Sequence, residues 1–132
     1  MIGIVLVSHS YLQAKGLQEM TIQVSRNLVK IAAAGGIDDE TLGTNAERIY
    51  QAIQEVYSAE GVLILFDLGS ALFSTQMAIE MLSPDQQAHI KLSDAPLVEG
   101  AIAAAIEASL GHDLETVNAA AEAAKEMQKY FS

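Results

Sequence analysis

The run Ile2-Gly3-Ile4-Val5-Leu6-Val7, broken at once by Ser8-His9-Ser10, decides the fold. Consecutive positions carry no polar side chain, and there is no apolar/polar alternation. A strand with one wetted face alternates, whereas a strand buried on both faces does not, and such strands belong to a parallel sheet covered by helices. The same pattern returns at Gly61-Val62-Leu63-Ile64-Leu65-Phe66, which breaks into Asp67-Leu68-Gly69-Ser70. Each run is followed by a helical pattern, and strand–helix alternation of this kind implies an α/β architecture.

Working outward, Leu17, Met20, Val24, Leu28 and Ile31 step by three and four, which predicts an amphipathic helix over roughly 12–30. Ile31 to Ile37, interrupted by Gly35-Gly36, reads as a second strand that runs into the acidic loop Asp38-Asp39-Glu40. Thr44-Asn45-Ala46-Glu47 has capping-box spacing, so Thr44 is expected to cap a helix over about 45–58 with Ile49, Ile53 and Val56 inward. Ser70 is expected to cap a helix reaching Leu82 and stopped by Ser83-Pro84. His89 to Leu92 reads as a weak strand. Pro96 suits the first turn of a helix carrying Val98, Ile102 and Ile106, which Gly111 ends. Asp113 opens a last helix with Val117, Ala120, Ala124, Met127 and Phe131 on one stripe. The expectation is an open, mainly parallel sheet of about four strands with helices on both faces, residues 1–132 forming one domain.

Composition narrows the function classes. The 132 residues are 51% hydrophobic, which excludes intrinsic disorder. Seven Lys and Arg against 17 Asp and Glu give a net charge of −10, so the chain offers no electrostatic footprint for nucleic acid and is repelled by anionic lipid. Cysteine is absent, excluding disulfides, thiolate catalysis and Cys-ligated metal sites. The apolar runs fall far short of the ~20 residues that span a bilayer. No basic stretch precedes the first of them, as a signal peptide requires. A cytoplasmic protein is expected.

In open α/β sheets ligand chemistry sits beyond the carboxyl ends of the strands, near the reversal in strand order. That rule selects His9, Gly43-Thr44, Asp67-Leu68-Gly69-Ser70 and Ser93-Asp94. His9 is open to two readings: a loop histidine satisfied by a backbone carbonyl, or a nucleophile or acid/base group whose imidazole is partly neutral near pH 7. Asp67 is either a loop carboxylate or, if strand order sets it beside His9, the acceptor of the Nδ1 proton that leaves the Nε2 lone pair outward. Gly69-Ser70-Ala71 begins a helix, whose amides favour an anion by ~0.3–1 kcal/mol. His89 and His112 read as structural or solvated. There is no Gly-Lys pair and hence no P-loop, no G-x-G-x-x-G, no H-E-x-x-H and no G-x-S-x-G. A histidine, a carboxylate and anion-binding amides without a nucleotide or metal site suggest a phosphoryl relay.

Val5-Leu6-Val7-Ser8-His9-Ser10, Ile37 with its acidic loop and Gly43-Thr44, Asp67-Leu68-Gly69-Ser70-Ala71, and Ala95-Pro96-Leu97-Val98-Glu99-Gly100-Ala101 occur in this order. Over essentially its whole length the chain resembles the phosphocarrier (M) subunits of phosphoenolpyruvate-dependent dihydroxyacetone kinases, DhaM, a family related to mannose-type enzyme IIA. The resemblance implies a homodimeric α/β sandwich in which His9 is phosphorylated on Nε2 and Asp67 bonds Nδ1. Ser10, Gly69 and Ser70 are the matching candidates for holding the phosphoryl group; the roles of Thr44 and Ser93 stay open. The implied donor is the histidine-containing phosphocarrier protein HPr, and the implied acceptor is ADP on the L subunit of the kinase. This chain is expected to bind no cofactor or metal itself, ADP/ATP and Mg belonging to the L subunit. Some family members fuse carrier and enzyme I-like domains behind this one; a chain ending at Ser132 implies separate upstream donors.

The rival within the fold is a mannose-type enzyme IIA serving a sugar permease, where the histidine more often has a Gly- or Thr-His-Gly context. A reading from another class is a receiver module phosphorylated on Asp67, but Ser8-His9-Ser10 supplies no acid cluster for Mg²⁺. The rim of the crevice is expected to be apolar through Tyr11, Leu12, Leu72 and Phe73, because a chain at −10 cannot draw in acidic partners by global attraction.

Overall fold

In the computed structural model, which describes residues 1–131, the chain runs β1 (Gly3–Ser8), α1 (Tyr11–Val24), β2 (Ile31–Gly35), α2 (Ala46–Val56), β3 (Val62–Phe66), α3 (Leu72–Glu80), α4 (Pro84–Gln87), β4 (Ile90–Leu92), α5 (Leu97–Ser109) and α6 (Leu114–Ala123). Single 3₁₀ turns at Gly69–Ala71 and Ala124–Glu126 lead into α3 and continue α6. The four strands form one sheet in the order β2-β1-β3-β4, and every pairing is parallel. The α/β class and the four-stranded parallel sheet read from the sequence are therefore the observed ones.

All six residues of β1 are buried, as a central strand covered on both faces requires. Its side chains alternate between two cores. Ile4 and Leu6, with Leu63 and Leu65 of β3, pack against Leu17 of α1, Ala101, Ala104, Ala105 and Ala108 of α5, and Val117 and Ala121 of α6. Val5 and Val7, with Val62 and Ile64, pack against Ile49, Ala52, Ile53 and Val56 of α2 and Ala78 of α3. Burying one such Val, Leu or Ile contributes about 1.5–3 kcal/mol. The two central strands are thus firmly fixed, and so are the ends from which the site projects.

Several element details differ from the sequence reading. The first helix stops at Val24 because Arg26 and Asn27 adopt left-handed φ values of 57° and 59°, and Ile31 already belongs to β2. Its inward stripe is Ala14, Leu17 and Thr21, one register away from Met20, Val24 and Leu28, which lie exposed. The second helix is capped by Asn45, whose Oδ1 accepts from the Glu47 and Arg48 amides at 2.9 and 3.3 Å, rather than by Thr44. Ser83-Pro84 ends α3 as expected but also starts α4, with Ser83 as its cap. In α5 the buried face beyond Leu97 is alanine and glycine, while Val98 and Ile106 face out. The last helix unwinds after Glu126, and Met127 and Phe131 are exposed. Gly35 has no substitute: a Cβ there would sit 2.4 Å from the Ser10 carbonyl oxygen, where the start of α1 crosses the end of β2.

Among the described residues no helix is long and apolar enough to cross a membrane.

Candidate functional site

The chain moves from β1 to β2 on one side, then back across to β3 and β4, so strand order reverses between β1 and β3. That gap at the carboxyl edge is where open α/β sheets bind ligands. Register fixes what occupies it. Val7 pairs with Phe66, and the Asp67 amide donates to the Val7 carbonyl at 3.1 Å. Ser8-His9 and Asp67 therefore leave neighbouring strands at the same level, strands of a sheet lying ~4.8 Å apart.

The Asp67 carboxylate spans this gap. Its Oδ1 lies 2.9 Å from Nδ1 of His9 and accepts from the Leu68 amide at 2.8 Å. Its Oδ2 accepts from the His9 amide at 2.9 Å, the Ser8 hydroxyl at 3.0 Å and Nε2 of Gln13 at 3.4 Å. An ionised carboxylate only accepts, so in the neutral imidazole the proton resides on Nδ1 and Nε2 presents a lone pair. The Ser70 hydroxyl, 2.9 Å away, donates to that lone pair. Asp67 is 13% exposed and the His9 ring 28%, so the carboxylate is sheltered while the ring keeps an open edge.

Burial pushes the Asp67 carboxyl up. The bonds from the His9 amide and ring and the Ser8 hydroxyl outweigh it and hold the group below the ordinary carboxylate range. A depressed folded value gives stability that is complete above the unfolded value of ~3.9 and is lost as pH falls through the folded one. Asp38, Glu99, Asp113 and Glu122 are also held low and titrate in the same acid range. The effect of Asp67 is therefore isolated by difference. The stability gap between wild type and Asp67→Asn, followed by thermal melts from pH 6 downward, should narrow below about pH 4. A gap constant with pH would mean that Asp67 titrates alike in both states.

The other sequence candidates separate. Gly43 donates its amide to the His9 carbonyl at 2.8 Å, so the loop after β2 supports the histidine backbone. Thr44 is 2.7 Å from Ser74 Oγ and ties that loop to α3. Ser10 caps α1, its hydroxyl accepting from the Gln13 amide at 3.2 Å. Ser70 does not cap α3; it stands in the turn Gly69–Ala71, whose internal bond runs from the Ala71 amide to the Leu68 carbonyl. The leading amides of such a segment have no partner within it and remain available to an anion. Ser93 and Asp94 belong elsewhere, at the end of β4, where Ser93 is buried and Asp94 pairs with Lys125. His89 bonds the Asp85 carbonyl and Tyr57, and His112 pairs with Glu107. Among the described residues no group of three His, Cys, Asp or Glu side chains could hold a metal ion.

Two residues went unread in the sequence, Ser8 and Gln13. A serine at a strand end beside the histidine was the available signal for the first; Gln13 left none. The elements that carry the site expose apolar side chains, though not all of those expected, and Leu12 and Leu42 border the acidic loop Asp38-Asp39-Glu40. Leu12 and Phe73 are 77% and 72% exposed, Tyr11 and Leu72 are half-buried, and Leu42 and Leu68 add exposed apolar area.

The family described as the PTS system fructose IIA component, EIIA-man, matches residues 3–118. The phosphoryl donor subunit DhaM of a PEP-dependent dihydroxyacetone kinase from Providencia stuartii is 41% identical over the whole chain, which spans only 28% of that relative's length. A DhaM subunit of dihydroxyacetone kinase 2 from Listeria innocua is 40% identical, the match covering 89% of this chain and 94% of that one. The crystal structure of a protein of unknown function superimposes with a TM-score of 0.78 at 39% identity, covering 92% of this chain and 94% of the other. With the histidine–aspartate pair at the strand-order reversal, these likenesses place the chain: it belongs to the mannose-type IIA family of phosphotransferase-system components, in the group formed by the DhaM phosphoryl donor subunits.

Proposed function

We propose that the chain is a phosphohistidine relay that accepts a phosphoryl group on Nε2 of His9 from HPr and passes it to ADP on the L subunit of a dihydroxyacetone kinase. One observation carries this reading: Asp67 fixes the proton on Nδ1 and leaves the Nε2 lone pair at the open edge of the ring. In the accepting step the Nε2 lone pair forms a bond to phosphorus as the donor's N–P bond breaks. The positive phosphoimidazole keeps its Nδ1 proton, facing Asp67. In the donating step the β-phosphate oxygen of ADP attacks phosphorus, the Nε2–P bond breaks and neutral His9 is restored. No proton need move within this chain. Ser70, once displaced from Nε2, has a hydroxyl to offer a phosphoryl oxygen, and the Gly69 and Ser70 amides lie beside it; Ser10 contributes through the start of α1. ADP/ATP and Mg belong to the L subunit, and the relay works as a homodimer.

The testing mixture contains the protein, enzyme I, HPr and labelled phosphoenolpyruvate, chased with either L subunit and ADP or a sugar-specific IIB. Label should enter a species lost in acid and stable in base, as phosphohistidine is, and should leave only to the L subunit with ADP. Discharge to the IIB protein instead would establish the permease reading.

Docking is the second expectation. Both partners must approach His9 over Leu12, Leu68 and Phe73, all of them exposed. Phe73→Glu puts a like charge on this rim without touching the core. Transfer should slow about tenfold or more from the donor and to the acceptor, on the scale of a lost interface anchor, with the melting temperature nearly unchanged. An equal fall in melting temperature and rate would make Phe73 a structural residue.

A further inference from the structure

We propose that Ser8 is a positioning residue of the relay, its hydroxyl clamping Oδ2 of Asp67 so that Oδ1 stays aimed at Nδ1 of His9, with Gln13 completing the clamp. This deepens the relay reading of the same site and rests on it.

Ser8 is the last residue of β1 and is fully buried. A buried hydroxyl must be paired, and this one uses its whole capacity. It accepts from the Ser10 amide at 3.0 Å and from Nε2 of Gln13 at 3.1 Å, and lies 3.0 Å from Asp67 Oδ2. The Ser10 amide can only donate, and so can an NH₂ group; the carboxylate can only accept. The direction of the Ser8 proton is thus fixed: it points at Asp67.

The consequence falls on the carboxylate. Oδ2 collects three donors, Ser8, the His9 amide and Gln13, while Oδ1 takes the Leu68 amide and the ring of His9. A carboxylate has about four lone-pair sites, so this one is saturated and cannot rotate without losing bonds. A rotated Asp67 would release the Nδ1 proton, admit the other imidazole tautomer and remove the Nε2 nucleophile. Reach at position 8 matters as well, since the hydroxyl must bridge from one strand to the next from the β-carbon, as a serine or threonine hydroxyl can. Gln13 sits on the exposed side of the first turn of α1 and reaches back to both acceptors, so it braces the clamp from solvent.

A merely structural buried serine would affect folding alone. The test therefore reads the site directly in Ser8→Ala, Ser8→Thr and Gln13→Ala: ring ¹⁵N shifts for the His9 tautomer, carboxyl ¹³C titration for Asp67, and the initial rate of labelling by phosphorylated HPr. In Ser8→Ala the Nδ1–H share should fall, the Asp67 titration should move up toward the ordinary carboxylate range, and labelling should slow about tenfold or more, as displaced reacting groups do. Gln13→Ala should shift all three in the same direction by less, and Ser8→Thr, which keeps the hydroxyl, should recover them. A folded Ser8→Ala with wild-type tautomer, carboxyl titration and rate overturns the proposal. If Ser8→Ala does not fold, Gln13→Ala decides on the same readouts, and wild-type values there overturn it equally. A wild-type protein that accepts no phosphoryl group counts against the relay, whereas the tautomer and the carboxyl titration, measured without donor, still judge the clamp.

Discussion

His9→Ala is expected to take up no phosphoryl group at all, while His89→Ala and His112→Ala label to full stoichiometry. The contrast follows from what each histidine does. In the neutral ring of His9 the Nε2 lone pair stands at the open edge, the proton being held on the far nitrogen by Asp67. His89 is tied through Nδ1 to the Asp85 carbonyl and to Tyr57, and His112, although its Nδ1 also meets a carboxylate, Glu107, stands in the turn between α5 and α6 rather than at the strand-order reversal. The fold should survive the loss of His9. The ring lies beyond β1, the two cores it borders contain none of its atoms, and Asp67 keeps the Leu68 amide and the Ser8 hydroxyl as donors. What is lost is one hydrogen bond to a charged group, about 1.5–3 kcal/mol, which lowers the melting temperature without unfolding a domain stable by about 5–15 kcal/mol. Full labelling of His9→Ala would move the nucleophile elsewhere; an unfolded variant would show that the ring stabilises the β1–β3 edge.

What the sequence disclosed, and what it hid, divides along one physical line. The central strands were legible because burial on both faces leaves a mark that needs no partner to interpret: Ile4 to Val7 and Val62 to Leu65 are apolar throughout. The helix faces were legible in part: Ile49, Ile53 and Val56 of α2 point inward as read, whereas most of the stripes read for α1 and α5 do not. Periodicity favours large side chains, yet the helix layer over β1 packs closely on Ala14 and Thr21 of α1 and on Gly100, Ala101, Ala104, Ala105 and Ala108 of α5. Close backbone approach selects small residues, which pushed Met20, Val24, Val98 and Ile106 outward.

Two caps were misread for a related reason. Thr44 and Ser70 have the hydroxyls that local spacing asks of a cap, but tertiary contacts use them, one with Ser74 and the other with His9. His9 and Asp67 could each be picked from the chain as polar residues at strand ends. Their pairing was open to the residues only on condition of strand order, and otherwise came from the family resemblance, because it depends on β3 lying beside β1 in a register that sets Asp67 level with Ser8. Gln13 was invisible, its role created only by the turn that brings α1 back over the strand end.

Asp67→Asn should keep the fold at reduced stability yet pass phosphoryl groups at least ~10²-fold more slowly, the scale on which acid–base groups contribute. Asparagine is isosteric, but its oxygen can serve either the Leu68 amide or the His9 amide and the Ser8 hydroxyl, which bond different oxygens of Asp67. The side chain then has one oxygen where five donors now converge, and its NH₂ must go to the other side. If the oxygen turns to the His9 amide and the Ser8 hydroxyl, the NH₂ faces the Leu68 amide and Nδ1, which must then accept; the proton moves to Nε2 and the lone pair that attacks phosphorus is lost. If instead the oxygen faces Nδ1, the tautomer survives, but an NH₂ is set against the Ser8 hydroxyl and the His9 amide. Three donors then confront one another in a sheltered site, an arrangement costing on the order of 1–3 kcal/mol for each group left unpaired. Both orientations lose the negative charge that faces the positive phosphoimidazole. The slowing should therefore appear in uptake from the donor and, because an uncompensated phosphoimidazole discharges more readily, be smaller in transfer to the ADP-loaded acceptor. Equal rates for wild type and Asp67→Asn in both directions would reduce Asp67 to a strand-end carboxylate, and equal slowing in both would assign it to holding the ring rather than to balancing its charge.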